Sequence, residues 1–346
     1  MIILRILLIP FSLIYAFIIY LRNKFYDIGI FKSESVNIPV ISIGNLTAGG
    51  TGKTPLTIFT AEYFLDKGHS VGIIARGYKR KSEGLVVVCD GKVINDSVEE
   101  TGDELAMTAN ALSEFKNRLF IAASSDRVKA AKYLKDNFNP DIIILDDGFQ
   151  HRKLKRNLDI VIADAGSILK NKFLNSFTLP SGVLRESKGN YARADLIIQN
   201  NKDKEYEQLP FFQNFGKDVI TMRYKTEYLI DYKNIILKTG LNSKHAVIFS
   251  GLADDLSFTG MITSMNIKIS EKIKFKDHHD YSLSDIEFIK SKFKENRIFI
   301  TTEKDFIKIK QFREFMENYP VYFLKISILA DKNAELLFNN YDKLLK

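Results

Sequence analysis

Val40-Ile41-Ser42-Ile43-Gly44-Asn45-Leu46-Thr47-Ala48-Gly49-Gly50-Thr51-Gly52-Lys53-Thr54-Pro55 decides how the rest of the chain is read. An apolar strand runs into a glycine-rich turn, the turn delivers Lys53 and Thr54, and a helical pattern follows at once. Glycines let consecutive backbone N–H groups converge on phosphate oxygens, and the N-terminus of the next helix adds its positive end. At this spacing a lysine reaches the β- and γ-phosphates and the following hydroxyl meets Mg²⁺. Pro55 falls just inside the helix start, where its missing N–H costs nothing. Gly49, Gly50, Thr51, Gly52, Lys53 and Thr54 are therefore candidate nucleotide-binding residues, for a nucleoside triphosphate with Mg²⁺. Thr47 occupies the first glycine position of the strict phosphate-loop pattern.

Working downstream, Asp141-Ile142-Ile143-Ile144-Leu145-Asp146-Asp147-Gly148-Phe149-Gln150-His151 has the form of a buried parallel strand that ends in two acids. Such a strand delivers carboxylates to the sheet edge that carries the phosphate turn, so Asp146 and Asp147 are candidate metal ligands. Arg76-Gly77-Tyr78 closes the strand after the first helix, where basic residues either face a bound anion or line a solvated loop. Gly102-Asp103-Glu104 opens a helical run from Leu105 to Phe115; paired acids there also suit the helix dipole. Leu85–Cys89 and Lys92–Ile94 flank Asp90-Gly91 as a hairpin. Strands and helices alternate through residue 200, which predicts an α/β fold with a doubly wound, mostly parallel sheet.

Beyond the polar stretch Asn201–Glu205, residues 218–237 read as two extended segments, and Ala246–Leu252 restarts a strand–turn–helix pattern. A smaller α/β domain over 218–346 is expected to close on a phosphate-loop domain at 32–217. It carries Asp277-His278-His279-Asp280-Tyr281 and Thr301-Thr302-Glu303-Lys304-Asp305 on two loops. His69 and His245 lack such company and read as structural.

Upstream of the turn, the first 21 residues are nearly all apolar, broken by Arg5, Pro10 and Ser12. Ile6–Leu21 makes about 24 Å of helix, short of the roughly 30 Å hydrocarbon core, so the segment lies in the interface, enters one leaflet, or spans with residues 1–5 included. Residues 1–25 are read as a membrane-anchoring helix. Arg22, Lys24 and Lys32 behind it agree with a body on the cytoplasmic face. A net charge of +8 asks for acidic partners, and the single Cys89 excludes an intrachain disulfide or cysteine-rich zinc site. The basic residues are scattered and no aromatic-rich sheet signature accompanies them, which disfavours nucleic acid.

Taken in order, these motifs resemble the tetraacyldisaccharide 4′-kinases, a family that phosphorylates a lipid A precursor at the inner face of the Gram-negative inner membrane. The resemblance rests on Gly44–Pro55, Arg76-Gly77-Tyr78, Gly102-Asp103-Glu104, Asp146–His151, Leu179-Pro180-Ser181-Gly182 with Leu184-Arg185-Glu186, Asp277-His278-His279 and Thr302-Glu303-Lys304-Asp305. Two loops depart from the family pattern, Gly251–Asp255 and Ile198-Gln199-Asn200.

The resemblance implies that ATP and Mg²⁺ bind at Gly50–Thr54, with Lys53 on the phosphates and Thr54, Asp146, Asp147 and Glu104 around the metal. It implies Asp103 as the base toward the sugar 4′-hydroxyl, with His278 orienting it in preference to His279. Gln150 and His151 adjoin the nucleotide, and Arg76, Tyr78, Arg185 and Glu186 contact substrate. The implied partners are the lipid A disaccharide precursor and inner-membrane lipid, with no nucleic acid and no obligatory protein partner.

The rival class is a membrane-recruited phosphate-loop ATPase switch. Such proteins carry a lysine just before the glycine pair, where this chain has Ala48. A guanine-specific switch would want Asn-Lys-x-Asp, and Asn201-Lys202-Asp203-Lys204 fails at the last position.

Overall fold

A computed structural model describes residues 2–170, 173–237, 244–252, 255–331 and 333–345. The Gly251–Asp255 turn is therefore seen only in part, since Ala253 and Asp254 lie outside the described residues.

The fold is mixed α/β around one large sheet. Its strands are β1 (Val40–Gly44), β2 (Val71–Ala75), β3 (Val86–Asp90), β4 (Leu119–Ala123), β5 (Ile142–Asp146), β6 (Leu158–Asp164) and β7 (Leu196–Asn200), followed by β8 (Asp218–Ile230), β9 (Ile236–Leu237), β10 (His245–Ser250), β11 (Lys268–Lys274), β12 (Arg297–Thr302) and β13 (Val321–Ala330). Their order across the sheet is β11-β10-β12-β13-β8-β7-β6-β1-β5-β2-β4-β3, with β9 paired to β8. Among the described residues nine of the strand pairings are parallel; β3 with β4, β8 with β13 and β8 with β9 are antiparallel.

Side-chain alternation makes the layers. On one face Ile41, Ile43, Ile142 and Ile144 pack beneath Leu56, Phe64 and Leu65 of the Lys53–Asp66 helix and Leu105 and Ala109 of the Asp103–Ala111 helix. On the other, Val40, Ile143 and Leu145 meet Val128, Ala131 and Leu134 of the Arg127–Phe138 helix. Both faces are covered, so β1 and β5 are buried at every position, as continuous apolar strands require.

The strand order runs outward in both directions from β1, which lies between β5 and β6. At such a switch point the connections leave in opposite directions, and a crevice opens beyond the carboxyl ends of the strands. The glycine-rich turn follows β1 there.

β8 bridges the two halves of the chain. It pairs parallel with β7 from Asp218 to Met222 and antiparallel with β13 from Met222 to Ile230. The C-terminal helix Ala334–Leu344 returns to the first half, where the buried Tyr341 hydroxyl lies 2.7 Å from Thr60 Oγ1.

Local departures from the expected elements have simple causes. The helix from Asp103 ends at Ala111 and tightens into a 3₁₀ turn over Ser113–Arg118. The Lys92–Ile94 arm shrinks to one bridge, Cys89 with Ile94, because Asp90 Oδ1 takes the Lys92 and Val93 N–H groups into a side-chain turn.

At the N-terminus the apolar run divides into the helices Ile2–Leu7 and Ile9–Asp27. Among the described residues no helix is long and apolar enough to cross a membrane. The polar side of the second helix faces the body: Ser12 and Asn23 are its buried residues, while Phe11, Ile14, Phe17 and Ile18 are exposed. Ser12 Oγ accepts the Ser181 N–H at 2.8 Å, Ser12 O accepts from Thr178 Oγ1 at 2.7 Å, and Arg5 donates to Ser181 O and Asn175 Oδ1.

Candidate active site

The register of β1 on β5 sets Ile43 opposite Asp146. The glycine-rich turn and the acid pair thus leave the sheet side by side. Gly44 permits this, because a Cβ there would stand 2.5 Å from Phe149 Cβ and 2.7 Å from its amide nitrogen. The turn is then braced by amides. Asn45 donates to Thr51 Oγ1 at 2.8 Å, Gln150 donates to Asn45 O at 3.0 Å, and Asn200 donates to Thr51 O at 2.8 Å and to the Tyr224 hydroxyl at 2.9 Å. Gly52 has φ 99°, and any Cβ would collide with Tyr224 and Asn200, so only glycine suits this position.

Lys53 opens the helix behind the turn, with Nζ 3.6 Å from Asp147 Oδ1. Arg185 donates to both Asp147 oxygens at 2.7 and 2.8 Å. Burial raises the Asp147 carboxyl, but Lys53 and Arg185 more than reverse this and hold it below the ordinary range. Thr54 Oγ1 donates to Asp146 Oδ2 at 3.3 Å. Asp146 is pushed upward, first by burial and then by the nearby charge of Glu104, against the pull of Lys53. Beside them, His151 falls to about 4 through burial and the charge of Arg127, so it is a neutral imidazole at pH 7.

A second cluster forms on Asp103, which begins its helix and is 3% exposed. Its Oδ2 lies 2.7 Å from His278 Nδ1, 3.0 Å from Lys308 Nζ and 3.6 Å from Lys304 Nζ. Lys304 Nζ is also 3.0 Å from His278 Nε2 and 4.0 Å from Glu104 Oε1. Oδ1 accepts the Glu104 N–H at 3.0 Å. Burial raises the Asp103 carboxyl, while the His278 hydrogen bond and the Lys304 and Lys308 charges outweigh it and hold the group well below its usual value. The Tyr78 ring, half exposed, meets the His278 ring edge-on at 5.0 Å.

Of the two adjacent histidines, His278 reaches Asp103. His279 instead bonds Asp285 at 3.1 Å and stacks on Phe275 at 4.7 Å. Arg76 is exposed at the end of β2.

Glu186 departs from its expected place among the substrate contacts. Its carboxylate is fully buried and receives Arg22, Asn23 and Arg193, each at 3.0 Å. Its surface is spent on tying the Ile9–Asp27 helix to the body, so it is a structural residue.

Sequence reading missed Lys308, Arg127, Asn200 and Tyr224. The i, i+4 spacing of Lys304 and Lys308 was the one available signal for the first of these. Arg127 is 3% exposed, donates to the Ser124 and Ser125 carbonyls, and is pushed down to about 10 by burial, with Asp147 and Asp146 opposing the fall.

The donor set fits a hydrated Mg²⁺. Asp146 Oδ1 is buried without a hydrogen-bond partner, and the Thr54 hydroxyl adjoins the same carboxylate. Among the described residues no three His, Cys, Asp or Glu side chains are grouped to cage a metal. Mg²⁺ needs no cage, since it is usually held by one or two protein oxygens together with phosphate oxygens and water.

Comparison with known proteins gives one answer. The family model for tetraacyldisaccharide-1-P 4′-kinases matches residues 4–341. The tetraacyldisaccharide 4′-kinase of Aquifex aeolicus is 37% identical over 321 residues, covering 92% of this chain and 94% of that protein. The enzyme of the same description from Chlorobium phaeovibrioides is 34% identical over 348 residues, covering 96% of each. The crystal structure of the "apo" form LpxK from Aquifex aeolicus in complex with ATP superposes with a TM-score of 0.80 at 32% identity, over 99% of this chain and 100% of that one.

Proposed function

The chain belongs to the tetraacyldisaccharide-1-P 4′-kinase family, and from that premise we propose a division of labour among its residues. The enzyme transfers the γ-phosphate of ATP to the 4′-hydroxyl of a tetraacyldisaccharide 1-phosphate in lipid A biosynthesis. The site assignment rests above all on the adjacency of the glycine-rich turn and Asp146 across β1 and β5.

The turn over Gly49–Thr54 acts as a phosphate loop in a doubly wound nucleotide-binding domain (32–217), and the smaller domain (218–346) closes the cleft. Backbone N–H groups and Lys53 bind the phosphates, and Gln150 holds the turn in shape through Asn45. Thr54 and Asp146 would hold Mg²⁺, with Glu104 and Asp147 close by. When bound, the metal neutralises charge that builds on the transferring group. Asp147 keeps Lys53 and Arg185 aimed at the same space.

Asp103 takes the proton of the attacking 4′-hydroxyl. Its Oδ2 is surrounded by His278, Lys304 and Lys308, which leaves Oδ1 as the accepting oxygen. An acidic carboxylate suffices, because phosphoryl transfer depends on positioning and charge neutralisation more than on strong basicity. His278 fixes the carboxylate's orientation, while Tyr78, Arg76 and Arg185 border the acceptor side.

The Ile9–Asp27 helix lies in the membrane interface at the cytoplasmic face of the inner membrane. Polar inward and apolar outward, it inverts the pattern of a helix covering a protein core, and contiguous exposed apolar surface of this kind suits lipid. Ile14→Glu combined with Ile18→Glu removes two apolar anchors worth about 2 kcal/mol each when fully buried. The expected result is a loss of at least about tenfold in vesicle partitioning with an unchanged melting temperature. Unaltered co-sedimentation would assign membrane binding to another surface.

The functional test is transfer of ³²P from the γ-position of ATP to a tetraacyldisaccharide 1-phosphate in detergent micelles. Labelled lipid formed only with a divalent cation supports the kinase reading. ATP hydrolysis without lipid labelling would favour the membrane-recruited ATPase switch instead.

A further inference from the structure

The Thr302–Asp305 motif has an obvious structural member. Asp305 accepts the Gly251 N–H at 3.0 Å and the Thr302 hydroxyl at 2.8 Å, fixing the loop geometry. That leaves the lysines of the Glu303–Ile309 helix unexplained. Lys304 and Lys308 stand one turn apart, so their side chains share a helix face. That helix packs against the Asp103–Ala111 helix, with Ile307 in one apolar cluster with Ala106 and Met107.

Lys308 is the unusual one. It is 5% exposed, and a buried ammonium is costly unless paired and hydrogen-bonded. Its Nζ satisfies this with two contacts: Asp103 Oδ2 at 3.0 Å and the His279 carbonyl, to which it donates at 3.0 Å. The carbonyl belongs to the residue after His278, whose ring meets the same Asp103 oxygen. One ammonium therefore spans the base and the loop that orients the base. Lys304, at 3.6 Å from that oxygen, touches His278 on its other nitrogen and faces Glu104.

We propose that Lys308 is a positioning residue for the phosphoryl transfer. It locks Asp103 and the His278 loop into one rigid unit, so that Asp103 Oδ1 is presented to the acceptor hydroxyl. The inference rests on Asp103 being the base. Lys308, in contact with Asp103 and the His279 carbonyl, acts through Asp103.

The test is a double-mutant cycle on the full-length enzyme with ATP and lipid substrate. Lys308→Met keeps the length and apolar stem but removes the charge. The expected result, with rates referred to folded enzyme counted by circular dichroism, is a fall in kcat of about 30-fold or more with the KM for ATP within about twofold. In an Asp103→Asn background the same change should alter the residual rate by less than about threefold, since both act on one step. Lys310→Met, which removes an exposed partner of Asp96, serves as a control at wild-type rate.

Should Lys308→Met fail to fold, Lys308→Arg replaces it. Retention of the charge there should preserve kcat to within about tenfold, and a collapse of kcat in folded Lys308→Arg overturns the proposal. So does near-normal kcat in Lys308→Met, or an equal fractional loss in both backgrounds. If instead Asp103→Asn retains wild-type turnover, the base assignment fails, and that outcome is distinct from failure of the Lys308 role.

Discussion

Asp103→Asn is expected to lower kcat by about 10³-fold and to leave the KM for ATP within about twofold, the range for loss of a positioned proton acceptor. The substitution conserves shape but removes the charge that Lys304, Lys308 and His278 surround. It also destabilises the fold, because deleting one partner of a buried charge cluster typically costs about 3–5 kcal/mol. Rates must therefore be referred to folded protein, counted by circular dichroism at the assay temperature. A folded variant with kcat within tenfold of wild type would remove Asp103 from the chemistry. The Asp103 cluster would then be an interlock between the two halves of the chain.

Lys53→Met is expected to lower kcat/KM by about 10²- to 10³-fold, with most of the loss in kcat, as for removal of one preorganised charge at a reacting group. Lys53 is suited to this work because it opens its helix and is held near Asp147, so little reorganisation is needed when the phosphates arrive. Lys53→Arg should not restore the rate, because a planar guanidinium cannot take the place of a compact ammonium in so tight a turn. The measurement is steady-state transfer over a range of ATP concentrations, paired with nucleotide binding by calorimetry. Wild-type kcat in Lys53→Met would sink the phosphate-loop assignment.

Much of the geometry around the glycine-rich turn was legible in the sequence because its causes are local. A run of β-branched residues, a glycine turn, Lys53-Thr54 and a helix start follow one another within fifteen residues, and each has its own physical reason. Asp146 was legible for a related reason: an unbroken apolar strand belongs in the middle of a parallel sheet, and its carboxyl end comes out beside the other strand ends. The Asp103 cluster is different. Lys308 lies more than two hundred residues from Asp103, and no local pattern announces which carboxylate a buried lysine will meet.

Glu186 shows the same limit from the other side. Beside Arg185 it reads, by resemblance, as a substrate contact, yet Arg22 and Arg193 converge on it from distant elements. The antiparallel seam between β8 and β13 is equally hidden, since strand direction is set by topology more than by composition. Length and hydropathy could bound the N-terminal helix but could not say which side would dock. That side was decided by Ser12 and Asn23, which find partners on the body.

The fastening of that helix has a geometric consequence. Ser181 and Glu186, which grip it, lie on either side of Arg185, and Arg185 in turn holds Asp147 beside Lys53. The path from helix to phosphate site is thus a few hydrogen bonds long, with little slack. With the helix in the membrane interface, as proposed, the depth at which it settles would set the altitude of the site above the bilayer. On that placement the helix would be a depth gauge as much as a mooring.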